Sequence, residues 1–315
     1  MAEAPPPFDL QGHRGARGLR PENTLTGFAH ALAIGVSTLE LDTGVTRDGV
    51  VVVSHDTALN PDHTRDASGR WLERTGPTIF SLTFAELQAF DVGRLRPGTA
   101  YAARFPEQLA VDGEKIPRLA DVFDLVRKSG NTEVRFNIET KIDPRKPDAT
   151  PCADAFAEAL VREIRLAAME RRAMIQSFDW RTLGIVHRIA RDIETVCLTT
   201  GRGDDDNLGI GSPGPSPWLG GLDANDFGGS VPKLVKAAGA SAWSPDFTEL
   251  TPQLVAEAHA LGLRVIPWTA NDPNDMSRLI DMRIDGLITD RPDLLRRVLQ
   301  QKGRAFHASP IIAPQ

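Results

Sequence analysis

Apolar residues recur along this 315-residue chain in two alternating rhythms, short β-branched runs and longer stretches at helical spacing, and the alternation predicts a series of βα units. Phe8 to His13 reads as a strand. Leu25, Phe28, Ala29, Leu32 and Ala33 keep the spacing of a helix that opens after Asn23 or Thr24 and stops at Gly35. Thr38-Leu39-Glu40-Leu41-Asp42 is the next strand, followed by a turn at Thr46-Arg47-Asp48-Gly49 and a β-branched run from Val50 to Asp56, which predicts a hairpin. From Thr57 to about Leu119 the periodicity lapses, with only Phe84 to Leu87 reading as helix, capped by Thr83.

The rhythm then resumes. Helices are predicted over Leu119 to Lys128, Cys152 to Met169, Trp180 to Ala190, Pro232 to Ala238, Pro252 to Leu261, Asp275 to Met282 and Pro292 to Leu299, interleaved with strands. The strands that precede helices end at His13, Asp42, Glu139, Gln176, Thr199, Trp243, Trp268 and Thr289, eight in all, which is the number that closes a (β/α)8 TIM barrel, an α/β fold. The strand to His55 is the hairpin partner of the second. One domain is expected over residues 8–300, with an insertion over 57–119, a Gly/Pro/Asp-rich excursion over 201–230, and tails at 1–7 and 301–315.

A net charge of -6 argues against a nucleic-acid or anionic-membrane surface, and no apolar run is long enough to span a bilayer, so no stable membrane anchor is expected. Met1 to Pro7 lacks the pattern of an export signal, which predicts a cytoplasmic protein, or a periplasmic one where a leader has been removed. Cys152 and Cys197 have no metal-type spacing and are expected as two buried free thiols.

Charge matters most at the second strand. Residues i and i+2 share a strand face, so Glu40 and Asp42 project together, opposite Leu39 and Leu41, and repel unless a cation lies between them. The alternative is an edge strand with a solvated acidic face. His13, Glu40, Asp42, His55, Glu139, Lys141 and Trp268 all fall at or near strand ends, where barrels of this type carry their sites.

The runs Gly12-His13-Arg14-Gly15, Pro21-Glu22-Asn23-Thr24, Glu40-Leu41-Asp42, Thr46-Arg47-Asp48-Gly49, His55-Asp56, Asn137-Ile138-Glu139-Thr140-Lys141, Gln176-Ser177-Phe178, Trp268-Thr269-Ala270-Asn271 and Asp285 to Pro292 together closely resemble the glycerophosphodiester phosphodiesterase family. Ala270 stands where that family usually has valine, a change expected to affect packing. The resemblance implies a TIM barrel that cleaves small glycerophosphodiesters to glycerol 3-phosphate and an alcohol with one divalent cation. It further implies that the glycerol 2-hydroxyl is the nucleophile and that a cyclic phosphate is then opened by water.

The residues support the same chemistry. Glu40, Asp42 and Glu139 are hard oxygen ligands suited to Mg2+ or Ca2+, and His13 and His55 titrate near neutrality and form the acid/base pair, in either order. Arg14 and Lys141 suit a phosphate, with a simple ion pair to Glu139 as the other reading of Lys141. Trp268 suits stacking on the substrate, with packing as its alternative; Gln176 and Asn271 are weaker candidates. Two rivals keep the barrel: a lysophospholipase D-like or phosphoinositide-type phosphodiesterase with an apolar rim, and a catalytically silent binding protein. The insertion, anchored beside the site, is expected to wall the mouth with its aromatic residues turned against the barrel, admitting small diesters such as glycerophosphocholine.

Overall fold

The computed structural model describes residues 6–306. Its strands are β1 Asp9–Gly12, β2 Thr38–Val45, β3 Val51–Val53, β4 Arg135–Thr140, β5 Ala173–Ser177, β6 Glu194–Thr199, β7 Ala242–Pro245, β8 Arg264–Val265 and β9 Gly286–Thr289. Its helices are α1 Leu25–Ile34, α2 Phe84–Leu87, α3 Ala100–Ala103, α4 Leu119–Lys128, α5 Ala153–Leu166, α6 Trp180–Ile189, α7 Val231–Ala237, α8 Pro252–Ala260, α9 Pro273–Asp281 and α10 Pro292–Gln301. The strands run in the order β8-β7-β6-β5-β4-β2-β1-β9, all parallel, and β3 pairs antiparallel with β2 outside the ring. The ring closes where Asp285 N–H donates to Val265 O at 2.9 Å and Ile288 N–H donates to Pro267 O at 3.0 Å. This is a (β/α)8 barrel.

The strand expected to end at Trp268 keeps regular pairing only at Arg264–Val265. The chain beyond stays extended, with Ile266 N–H on Trp243 O and Trp268 N–H on Pro245 O, but Pro267 between them has no N–H to continue the ladder. The edge-strand alternative for β2 is overturned, because β2 lies between β1 and β4 and is buried along its whole length. Leu39 and Leu41 join the large cluster that packs the barrel against its helices, with Phe28, Leu32, Phe123 and Phe136. The opposite face of the strands carries Glu40 and Asp42 into the barrel, above a small apolar layer of Met174, Val196, Ala242, Ile266 and Ile288. That inward face is where the chemistry is held.

Local signals read from sequence act as capping chemistry requires. Thr24 Oγ1 accepts from Gly27 N–H at 3.0 Å to open α1, and Thr83 and Glu86 form a reciprocal box that starts α2. Ala270 is fully buried in the main cluster. One expectation fails at the cysteines: Cys197 on β6 is buried, but Cys152 is exposed, because it stands at the N-cap of α5 rather than on the helix face that meets the barrel.

The insertion leaves and rejoins at β3, where Val53 N–H donates to Pro117 O at 2.9 Å. It folds on a cluster of its own, formed by Val52, Leu59, Ile79, Leu87, Val92 and Ile116, with Leu72, Leu82, Phe84 and Phe90 half-buried around it. Its aromatic residues therefore do not pack wholesale against the barrel. Phe105 does, buried beneath the Arg17 guanidinium at 4.6 Å, and Gln108 and Leu109 bond the backbone of Arg17 and Leu19. The excursion after β6 packs Leu208, Leu219 and Ala224 into the main cluster. The large apolar side chains that remain exposed among the described residues, Leu109, Leu166 and Ile210, stand on three separate segments. No described helix is long and apolar enough to cross a membrane. At the far end of the barrel, residue 8 pairs with the end of the described chain: Phe8 N–H donates to Ala305 O at 2.8 Å.

Candidate active site

The parallel register of β2 and β4 sets Asp42 opposite Glu139 and Glu40 opposite Asn137. Glu40, Asp42 and Glu139 consequently converge, each offering an oxygen within 4.8 Å of the others, and all three are buried. Neighbours fix their orientation. Glu40 accepts from the Arg14 backbone N–H at 2.8 Å and from Gln176 Nε2 at 2.8 Å, while Asp42 accepts from Asn23 Nδ2 at 2.9 Å. Burial and the nearby Asp42 charge push the Glu40 carboxyl well up. Burial also raises Glu139, to about 7, despite the adjacent Lys141. Asp42 is held below the usual carboxylate range because Arg14 and Lys141 outweigh its burial. Three buried carboxylates of this kind attract a hard cation, and nothing but oxygen donors is present among them.

The loop after β1 bends sharply to deliver these contacts. Arg14 at φ 50° and Asn23 at φ 55° are both left-handed, a conformation that costs a side-chain-bearing residue roughly 1–3 kcal/mol unless its surroundings impose it. Here Asn23 N–H donates to Arg14 O at 3.0 Å and each residue grips one acid of the cluster, so the bend and the site determine each other. A Cβ on Gly12 would lie 2.2 Å from Gly15 O, which is why the loop needs glycine there.

Two imidazoles face the same cavity, and each is held by an aspartate. His13, placed by its N–H on Thr289 O at 2.9 Å, presents Nδ1 to Asp290 Oδ1 at 2.7 Å. Asp290 is in turn gripped by the Arg17 guanidinium at 2.7 and 3.0 Å and by Asn271 Nδ2 at 2.7 Å. His55 presents Nδ1 to Asp56 Oδ1 at 2.9 Å, and Asp56 also accepts from Asn60 Nδ2 at 2.7 Å and stands 3.5 Å from His63 Nε2. With Nδ1 occupied in both, Nε2 is the nitrogen left for chemistry. Burial lowers both imidazoles to about 4, aided by Arg17 at His13 and by Arg14 and Lys141 at His55, so both are neutral near pH 7.

The candidate cations occupy the wall of this cavity, but with partners. Arg14 reaches Glu22 at 2.7 Å and Asp42 at 3.3 Å, and Glu22 also bonds the Tyr101 hydroxyl from the insertion. Lys141 reaches Glu139 at 2.8 Å and Asp42 at 3.6 Å. Trp268 lines the cavity half-buried, its indole N–H on Ser244 O at 3.0 Å and its ring perpendicular to that of Phe178 with centroids 5.4 Å apart. Asn271 grips Asp290 and Gln176 grips Glu40, so both weaker candidates act through other side chains. The cavity itself measures about 510 Å³ and takes in His13, Glu40, His55, Glu139, Lys141 and Trp268 together. Asp290, Arg17 and Asp56, which sequence reasoning did not assign to the site, set both imidazoles. Asp290 and Asp56 lie in runs singled out there, but only folding brings Asp290 against His13.

Residues 13–294 match the glycerophosphoryl diester phosphodiesterase family. The chain belongs to this family. A glycerophosphodiester phosphodiesterase of Caldanaerobacter subterraneus subsp. tengcongensis is 28% identical over 92% of this chain and 97% of that protein. A solved structure from Silicibacter pomeroyi, named for the same activity, is 38% identical with a TM-score of 0.85, covering 96% of both chains. The fold is shared as well by an Oleispira antarctica phosphodiesterase solved with the product sn-glycerol-3-phosphate, at 19% identity, TM-score 0.66, 92% of this chain and 96% of that one. As a member of the family the chain is an enzyme, a phosphoric diester hydrolase acting on glycerophosphodiesters.

Proposed function

We propose that this enzyme hydrolyses glycerophosphodiesters to sn-glycerol 3-phosphate and an alcohol, and that it does so with one divalent cation, Mg2+ or Ca2+, held by Glu40, Asp42 and Glu139. The observation that carries the reading is the meeting of that three-carboxylate cluster with two aspartate-held imidazoles in one cavity. The fit to such a cation rests on the donor set: three buried oxygens within 4.8 Å of one another, two of them with raised carboxyls. When bound, the cation supplies positive charge to the non-bridging oxygens of the phosphate.

The remaining chemistry falls to the chain's own groups. One histidine takes the proton of the glycerol 2-hydroxyl through Nε2, and that oxygen attacks phosphorus to close a cyclic phosphate. The other histidine, neutral in the free enzyme, takes up a proton at Nε2 as the anionic phosphate enters, gives it to the departing alcohol oxygen, and the two exchange roles as water opens the ring. Asp290 and Asp56 keep the imidazoles oriented and stabilise each while it carries the extra proton. Arg14 and Lys141 offset the charge of the acidic cluster, and the phosphate enters among these cations. A lipid-sized diester would call for an apolar rim, and the scattered exposed residues Leu109, Leu166 and Ile210 supply little of one.

The test follows release of glycerol 3-phosphate from a panel of glycerophosphodiesters before and after chelation, together with His13→Ala and His55→Ala. Chelation should abolish release and added Mg2+ or Ca2+ restore it, and each variant should lose at least about a hundredfold in kcat. Activity that survives exhaustive chelation refutes the metal reading, and a histidine variant with near wild-type kcat removes that residue from the mechanism.

A further inference from the structure

The cleft has two lobes. The lobe with His13 and Glu40 holds about 510 Å³, and a second of about 430 Å³ opens beside it, with His55, Lys141, Phe178 and Trp268 lining both. The wall particular to the second lobe comes from two segments outside the catalytic strands, Asp143, Arg145 and Lys146 after β4, and Asn207 and Trp218 from the excursion after β6, whose Asp205 borders both lobes at their junction. A diester has two arms, and the lobes share the imidazole His55 between them. His13 borders the first lobe alone.

Resting on the function proposed above, we infer that the second lobe receives the alcohol arm of the substrate and that it is built for an uncharged polyol, such as glycerol or inositol, rather than for a quaternary ammonium. Recognition of a quaternary ammonium uses bare aromatic faces. Here two of the three rings are already covered on one side by the protein's own cations, Arg145 at 5.0 Å over Trp218 and Lys141 at 5.9 Å over Phe178, and the third, Trp268, packs edge-to-face with Phe178, so no pair of bare faces is set to enclose such a cation. The acids of the lobe are also engaged, Glu139 by Lys141, Asp143 by Arg145, and Asp56 by His55 and Asn60. Among the described residues Asp205 has no ion-pair partner in direct contact, though its charge reaches Arg145, and the Lys146 ammonium stands 4.0 Å from Asp143 and largely in solvent. The wall therefore sets an acceptor and a donor around ring edges, the complement of a molecule whose hydroxyls both donate and accept and whose C–H faces lie against aromatic carbon. With the alcohol arm in this lobe, His55 is the imidazole beside the leaving oxygen.

The experiment compares kcat/KM of the metal-loaded enzyme on glycerophosphoglycerol, glycerophosphoinositol and glycerophosphocholine, which share the glycerol and phosphate and differ only in the alcohol. Either polyol diester should exceed the choline diester by about tenfold or more, the size of effect that well-placed hydroxyl partners give. Trp218→Ala and, because Trp218 is half-buried, the exposed Asp205→Ala as well, should each shrink that ratio to under about twofold, chiefly through KM for the polyol. Equal or better turnover of the choline diester, or variants that lower all three substrates in proportion, overturns the assignment while leaving the hydrolase reading intact. Failure to cleave any of the three overturns the proposed function, and this inference with it.

Discussion

Asp290→Asn changes one oxygen into an amide nitrogen at a site that is 1% exposed, and the structure separates its two consequences. The native carboxylate accepts four hydrogen bonds, two from Arg17 at 2.7 and 3.0 Å, one from Asn271 at 2.7 Å and one from His13 at 2.7 Å. The substitution leaves the buried Arg17 guanidinium without its acid, a loss of roughly 3–5 kcal/mol for a broken buried pair. For a domain of this size a kilocalorie moves Tm by about 1.5 °C, so Tm should fall by roughly 5–8 °C. It also removes the charge that orients His13 and stabilises it when protonated, and kcat should drop by about 10²–10⁴-fold with KM little changed. The assay is thermal unfolding beside steady-state release of glycerol 3-phosphate at saturating metal. Arg17→Met combined with Asp290→Asn distinguishes the two effects, since removing the orphaned cation should recover a large part of the lost stability. If the double variant also recovers turnover, or if Asp290→Asn alone keeps kcat within about threefold, Asp290 serves only to neutralise Arg17 and the positioning argument is wrong.

In chelator two pairs of buried groups pull against each other between about pH 7 and 4.5. His13 and His55 bind protons at about 4 in the folded state and near 6.5 when unfolded, so they cost stability as pH drops. Glu139, raised to about 7, and Glu40, raised well above its ordinary value, take up protons first in the folded state and add stability, so the wild type should change little. Asp290 and Asp56, both held below the ordinary range, bring a loss below about 3.8; urea unfolding of Glu40→Gln combined with Glu139→Gln, which removes the opposing acids, should show a lower midpoint at pH 4.5 than at pH 7, and equal midpoints in that variant would contradict the burial of both imidazoles. Tyr101→Phe removes the insertion's bond to Glu22 and should raise KM by a few fold through Arg14 while leaving metal affinity intact, which titration calorimetry and kinetics on the same sample check. Alkylation of the native enzyme should mark Cys152 and spare Cys197 until denaturant is added, and prompt labelling of Cys197 would place β6 elsewhere.

The frame of the barrel was legible because each βα unit is a local pattern. Period-2 alternation put Glu40 and Asp42 on one face, and Thr24 and Thr83 announced helix starts through short-range capping. The acids and imidazoles were legible because they close those units at strand ends. What escaped was everything set by distant partners. Nothing near Asp290 says that it will meet His13 and Arg17, more than two hundred residues earlier, or that Arg14 will be paired with Glu22 and Asp42 before any phosphate arrives. The self-contained cluster of the insertion was hidden for a similar reason, since Leu59, Ile79, Val92 and Ile116 converge from loops without periodicity.

The seam between β8 and β9 has a bearing on how the enzyme is made. The first strand delivers His13, but its neighbour in the ring, β9, follows all the other described strands along the chain, and the residue after it orients His13. A nascent chain can therefore bring β2 and β4 together before the His13–Asp290 contact, which waits until β9 has been made. A chain cut before Thr289 would keep both imidazoles and all three carboxylates but leave the sheet open and His13 without the carboxylate that orients it.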